Sequence, residues 1–203
     1  MKKVLILILC AALAFGTVSF GAFAAGTAHT VVRGDTMWRI AVKYEIGISE
    51  LIAANPAISN PNLIYPGQIL NVPTENASAL AYEREVIRLI NELRRERGLR
   101  ELTYNWELCR VARYKSQDMK DRGYFSHTSP TYGSPFEMIK SFGISYRSAG
   151  ENIARGYKTP AAVVEGWMNS SGHRANILNS SFTEIGVGYV ASGHYWTQMF
   201  IGK

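Results

Sequence analysis

Three side chains suited to acid–base or metal chemistry lie in short polar strings of the second half of the chain. His127 sits in Tyr124-Phe125-Ser126-His127-Thr128-Ser129-Pro130, and Glu151 in Ala149-Gly150-Glu151-Asn152-Ile153-Ala154. His173 sits in the longer string from Trp167 through Ser170, Ser171, Gly172, Arg174 and Asn176 to Leu178. Two imidazoles and a carboxylate can ligate zinc and leave one position open for water, which then becomes a nucleophile near neutral pH. The same groups can serve as a metal-free acid/base set. Each also has a structural reading. Glu151 can accept backbone donors in a turn, His127 can anchor the loop before Pro130, and His173 can cap the short helix running through Ile177 and Leu178. Asn152, Arg174 and Asn176 read as structural, pairing backbone groups in irregular segments where unpaired polar atoms are costly. No nucleophile accompanies them: Cys109 falls in a helical pattern beside Leu108 and Val111, which predicts burial, and Ser126 and Ser129 lack a nucleophile turn.

The elements that must position these strings follow from periodicity. From Tyr82 a long amphipathic helix carries Val86, Ile87, Leu89, Ile90 and Leu93 on its buried stripe and ends at Gly98. A second helix is predicted from Trp106 to about Gly123. Shorter ones cover Pro135 to Phe142 and Pro160 to Asn169, the latter capped by Thr159 with Pro160 in its first turn. Glu184 to Val190 and Tyr195 to Phe200 then alternate around a turn at Ala191 to His194, a β-hairpin. Helices first and a terminal hairpin predict an α+β domain with helices packed on an antiparallel sheet. Most of its aromatics, Trp167, Tyr195 and Trp196 among them, are expected in the core.

Ahead of this domain, residues 29 to 73 divide into four short elements. Thr30 to Val32 is strand-like, Arg33-Gly34-Asp35 turns, and Thr36 caps a helix with Met37, Ile40, Ala41 and Tyr44 at helical spacing. Ser49 caps a second helix stopped by Asn55-Pro56, and Pro66-Gly67 turns the chain into Ile69 to Val72. Trp38, Ile40 and Ile64 are expected in the core, because so small a unit must bury nearly every large apolar side chain. Thr74 to Ala81 is small and polar and reads as a linker.

At the N-terminus, Lys2 and Lys3 precede an apolar run from Val4 that is broken by Gly16 and Gly21 and ends in Ala22-Phe23-Ala24. This is the pattern of a secretory signal peptide over residues 1–24, with cleavage after Ala24 and no stable membrane anchor afterwards. Bulky Ile8 and Leu9 before Cys10 argue against lipidation. Removing Lys2 and Lys3 takes the formal net charge from +6 to +4. Removing Cys10 leaves Cys109 alone, so packing must stabilise an exported protein without a disulfide. The basic residues are interleaved with acidic ones, which excludes nucleic acid as the expected partner. Nothing in the pattern sets an oligomeric state.

Two family resemblances follow from these strings. The Gly34-Asp35-Thr36 turn, Trp38 and Ile40, Asn55-Pro56, and Leu63-Ile64-Tyr65-Pro66-Gly67-Gln68 closely resemble a LysM domain over residues 29–73. That resemblance implies binding of N-acetylglucosamine-containing glycans, peptidoglycan or chitin, in a shallow groove between two loops. The residues carried over are Gly34, Asp35, Thr36 and Met37 on one loop and Asn62, Leu63, Ile64, Tyr65 and Pro66 on the other. From Tyr82 to Lys203 the strings SHTSP, GENIA, W-x-x-S-x-G-H-R-x-N-I-L and IGVG with YWTQ resemble the bacterial branch of the CAP (cysteine-rich secretory, antigen 5, pathogenesis-related) superfamily. This resemblance implies an α-β-α sandwich whose cleft gathers His127, Glu151 and His173 and, in some members, a divalent cation such as zinc. His194 resembles the second family histidine superficially, but only His173 precedes the Gly186-Val187-Gly188 strand by the required interval. Ser170 stands where many members have a second glutamate, and Glu165 lies on another face of the helix. The expectation is a secreted, wall-associated protein whose cleft binds a ligand or metal in envelope assembly without catalysis. A zinc-dependent wall hydrolase or transferase, and a carrier of lipid or small apolar ligands, are the alternatives.

Overall fold

The computed structural model describes residues 24–203. The expected signal peptide lies, up to its last residue, outside the described residues. Ala24 itself opens the first strand, β1 (Ala24–Thr30). This strand pairs antiparallel with β2 (Ile69–Thr74), Thr30 opposite Ile69 and Ala24 opposite Thr74. The strand thus precedes its expected position at Thr30 to Val32. Val31 and Val32 instead begin the turn that Asp35 closes by accepting the Val32 N–H at 2.9 Å.

Between the strands stand α1 (Met37–Lys43) and α2 (Ile48–Ala53). Thr36 caps α1 through the Arg39 N–H, as its position predicts. Gly47, not Ser49, occupies the N-cap of α2, and the Ser49 hydroxyl donates to Glu50 Oε2 at 2.6 Å instead. Val31, Met37, Ile40, Ala41, Ile46, Leu51, Leu70 and Val72 form this unit's core, with Ile64 packed against it. Trp38 departs from expectation: it is 61% exposed. It follows the buried Met37 on a seven-residue helix whose core-facing stripe is Met37, Ile40 and Ala41, so the adjacent position faces away.

Only Glu75 and Asn76 separate β2 from α3 (Ala77–Arg95), whose first turn Asn76 caps through the Ser78 and Ala79 N–H groups. Residues 77 to 81 of the expected linker are therefore helical: alanines and leucine favour that state once a cap is in place. Beyond come β3 (Thr103–Tyr104), α4 (Trp106–Asp121), α5 (Pro135–Ser141), β4 (Ser148–Arg155), α6 (Pro160–Met168), α7 (Ser171–Ile177), β5 (Glu184–Val190) and β6 (Tyr195–Gly202). The sheet order is β3-β5-β6-β4, with β3 parallel to β5 and the other pairs antiparallel. The predicted hairpin is β5 and β6, and the GENIA string is an edge strand beside it.

Alternate residues of β6 serve opposite faces. Trp196 and Phe200 pack with Val86, Ile90, Val163, Trp167 and Ile177 of α3, α6 and α7. Met199 and Ile201 pack with Leu108, Val111, Ala112, Met138 and Ile139 of α4 and α5. The result is an α-β-α sandwich. Its α4 lies so close to β5 that a Cβ on Gly186 would stand 2.4 Å from the Leu108 carbonyl carbon, and one on Gly188 2.1 Å from Arg113 N. The glycines of the IGVG string therefore exist for helix–sheet approach. Cys109, fully buried at this contact, accepts from the Val187 N–H, and burial pushes its thiol up to about 12, so it is chemically inert.

Candidate functional site

Because β4 is an edge strand, side chains from both faces of the sandwich reach round it. Glu151, on β4, is 6% exposed and shares the α4 side of the sheet with its register partner Met199. The loop after α4 brings His127 to it, and His127 Nδ1 lies 2.7 Å from Glu151 Oε1. From the other layer, α7 presents His173. Its carbonyl accepts from Asn152 Nδ2 at 3.1 Å, which ties α7 to β4.

The electrostatics separate the two imidazoles. Donation of a hydrogen bond to the Glu151 carboxylate raises the His127 pKa above its ordinary value, against the opposing effects of burial and Lys115. His173 is lowered, by burial first and by the nearby His127 charge second. Glu151 Oε2 is buried without a hydrogen-bond partner, as is Gln198 Nε2. An acceptor left open beside two imidazoles of opposite bias is suited to receive a donor group from a ligand.

Of the expected metal set His127, Glu151 and His173, the structure brings His127 and Glu151 into direct contact. Among the described residues no group of three or more His, Cys, Asp and Glu side chains is gathered so as to hold a metal ion. Glu151 Oε1 is engaged by His127 Nδ1, the role of a carboxylate that orients an imidazole. A cation here would rest on the two imidazoles, with Glu151 behind the first.

The supporting groups were partly legible. Asn152, fully buried, donates to Gln198 Oε1 and accepts from Asn176 Nδ2, and Asn176 also donates to the Glu151 carbonyl, the structural duty expected of both asparagines. Arg174 donates to the Met168 carbonyl. Lys115 and Asp118 were missed. Lys115, 0% exposed, donates to the carbonyls of Ser126 and His127 at 2.8 and 2.7 Å and so sets the His127 loop. Asp118 accepts from Tyr124, Ser129 and Thr131 and fixes the same loop. Burial opposes its ionisation, but the donors from Thr131, Tyr124 and Ser129 outweigh it and hold the carboxyl below its usual range. Lys115 stands four residues from both Val111 and Met119, on the buried stripe of α4. A charged residue on an apolar stripe is the sequence signal that could have found it. His194 lies in the β5–β6 turn at φ 51° and pairs with the Tyr189 hydroxyl, away from the cleft residues. Glu165 is exposed on α6, and Ser170 is the N-cap residue of α7 without a side-chain cap bond.

In the first unit, the Gly67 N–H donates to the Val31 carbonyl at 2.9 Å and the Val31 N–H to the Gln68 carbonyl at 2.8 Å, which pairs the chain just before the first expected glycan loop with the chain just after the second. Gly34, Thr36, Asn62, Leu63, Tyr65 and Pro66 are exposed there. Met37 is buried, Ile64 half-buried against the core, and Asp35 is held by His29 at 2.9 Å. The side chains of those three hold the loops in place rather than offering a surface.

A βααβ unit leading into an α-β-α sandwich with a histidine–glutamate cleft at its edge strand defines a two-module protein of the LysM and CAP architecture. The model of the cysteine-rich secretory protein family (CAP) matches residues 87–201 and that of the LysM domain matches residues 29–73, so the chain belongs to the CAP family and carries a LysM domain before it. An uncharacterised Bacillus subtilis protein, YkwD, is 63% identical over 127 residues, which is 63% of this chain and 49% of that protein. An extracellular Bacillus anthracis protein containing an SCP domain superposes with a TM-score of 0.60 at 34% identity, covering 68% of this chain and 47% of that one. An N-acetylmuramoyl-L-alanine amidase, sle1 of Staphylococcus epidermidis, is 39% identical over 69 residues, 32% of this chain and 21% of that enzyme. The chain spans about half or less of the length of these relatives. Among the described residues no helix is long and apolar enough to cross a membrane.

Proposed function

We propose that this protein is exported, binds peptidoglycan or a related N-acetylglucosamine-containing glycan through its LysM module, and presents its CAP cleft to a ligand at the cell wall. The observation that carries the glycan reading is the paired-loop surface. The chain just before the first loop and just after the second is paired by backbone, Val31 with Gly67 and Gln68, and Leu63 and Tyr65 stand 51% and 55% exposed on the second loop. An exposed aromatic ring with an exposed aliphatic neighbour suits the apolar face of a sugar. The match to a muramoyl-alanine amidase supports a wall location.

The cleft is a binding site in this reading. His127 and Glu151 form a polarised pair, Glu151 Oε2 awaits a donor, and no activated nucleophile lies beside them. A divalent cation such as zinc would find its donors in His127 and His173. Sedimentation of the full chain with insoluble peptidoglycan tests the anchor: Leu63→Ala with Tyr65→Ala should release most of the protein to the supernatant. Undiminished sedimentation of that double variant would remove the glycan reading.

A further inference from the structure

The two modules meet across a groove that neither has alone. Its LysM wall is Trp38 and Val42 of α1, the edge of the core residue Ala41 and the turn at Ile46–Ile48, and its CAP wall is Trp106, Glu107 and Arg110 of α4 with Phe142 beyond α5. The volume is about 490 Å³, within the roughly 300–1,000 Å³ of small-ligand sites. A bonded junction joins the modules beside the groove. Arg110 Nε donates to Glu50 Oε1 at 2.7 Å, Tyr114 Oη donates to the same oxygen at 2.7 Å, and the Arg110 guanidinium lies 5.0 Å from the Phe142 ring centroid. Gly47 allows that approach, because a Cβ there would stand 1.9 Å from Glu50 Oε2 and 2.5 Å from Arg110 Cζ.

We infer that this inter-module groove is a second glycan-binding surface, in which a sugar chain seated on the LysM loops continues between Trp38 and Trp106. The inference rests on the glycan reading above and extends it to the CAP module. Two observations identify the occupant. First, the exposed Trp38 is the residue immediately after the loop Gly34–Met37 and lines the groove together with Val42 four residues on, so the groove starts where the first glycan loop ends. Second, its walls combine the rings of Trp38, Trp106 and Phe142 with the exposed carboxylate of Glu107, Arg110 being already paired with Glu50, a pattern that fits a ligand with apolar faces and a hydroxyl and amide rim. A sugar chain is such a ligand, whereas an acyl chain leaves the Glu107 carboxylate unmatched.

The test compares the tetramer and the octamer of β-1,4-linked N-acetylglucosamine by calorimetry on the full chain. The octamer should bind more tightly than the tetramer. Trp106→Ala should remove that advantage, about tenfold for one lost ring contact, and leave tetramer affinity unchanged. Trp106→Phe, which keeps a flat ring, should restore most of it and shows that the alanine variant has not merely unfolded. An octamer advantage that survives Trp106→Ala overturns the inter-module inference while sparing the LysM reading. Failure of both oligomers to bind overturns both. Quenching of tryptophan fluorescence by a fatty acid that depends on Trp106, with no response to the octamer, assigns the groove to an apolar ligand and also overturns the inference.

Discussion

Removing the carboxylate of Glu50 should uncouple the two modules. Glu50 is 5% exposed and accepts from Arg110, Tyr114 and Ser49, so Glu50→Ala leaves an arginine and a tyrosine hydroxyl facing a hole. Breaking a buried ion pair by deleting one partner costs about 3–5 kcal/mol. The Arg110 side chain keeps 19% exposure and some hydration, which brings the expected loss to about 2–3 kcal/mol. With a urea m-value of about 2 kcal/mol/M, that loss moves the midpoint by about 1 M or slightly more. The parent should unfold in one transition, because the bonded junction and the two-residue connection between β2 and α3 make the modules depend on one another. Glu50→Ala should split this into a weaker LysM transition and a CAP transition. Adding Arg110→Met should recover part of the loss by removing the stranded charge. The pH dependence has a fixed sign. Burial opposes ionisation of Glu50, but hydrogen bonds from Arg110, Ser49 and Tyr114 hold its carboxyl below the ordinary 4.5. Its stabilisation is present above 4.5 and lost as pH falls through the lowered value, so parent and variant should converge in acid. Two separate transitions in the parent, or a loss below about 0.5 kcal/mol in the variant, would refute the coupling.

In chelator-treated protein, imidazole NMR should show His127 titrating above 6.5 and His173 below it. The His127–Glu151 pair then stabilises the fold below the ordinary histidine value and releases that stabilisation as pH rises through the raised one. The reverse order would contradict the Glu151 hydrogen bond. Lys115→Met should cost about 2 kcal/mol, since it strands the Ser126 and His127 carbonyls, and should speed amide exchange through residues 126–128 while leaving the LysM module protected. Unchanged exchange there would show that the loop is set by other contacts. Gly188→Ala should lower stability by at least about 2 kcal/mol because its methyl meets the α4 backbone, whereas Gly172→Ala, with open space around it, should be close to neutral. Equal melting temperatures for the two would refute the close-packing argument.

Much was determined by local pattern. The caps at Thr36 and Thr159, the helical stripe of α3, the alternation of β5 and β6 and the turn at His194 all lie within a few residues of the groups they organise. Short-range spacing therefore records them, and ordered strings carry the two families. Burial of Cys109 also followed, since an uncharged side chain on an apolar helical stripe has one place to go. What the sequence did not show was set by partners distant in the chain. Trp38 is exposed because a short helix buries only one stripe, and its neighbour across the groove is Trp106. Gly47, not Ser49, stands at the cap of α2, and a Cβ there would meet Glu50 and Arg110, a partner distant in the chain. The expected linker, by contrast, is helical from residue 77 for a local reason, the Asn76 cap ahead of small helix-forming residues. Lys115 reads as surface charge until the His127 loop folds over it, and three far-separated strings could not reveal which pair would touch. Only packing decided that Glu151 bonds His127 and leaves His173 apart, because a carboxylate with one oxygen engaged and one buried is a property of the assembled edge strand, not of any segment alone.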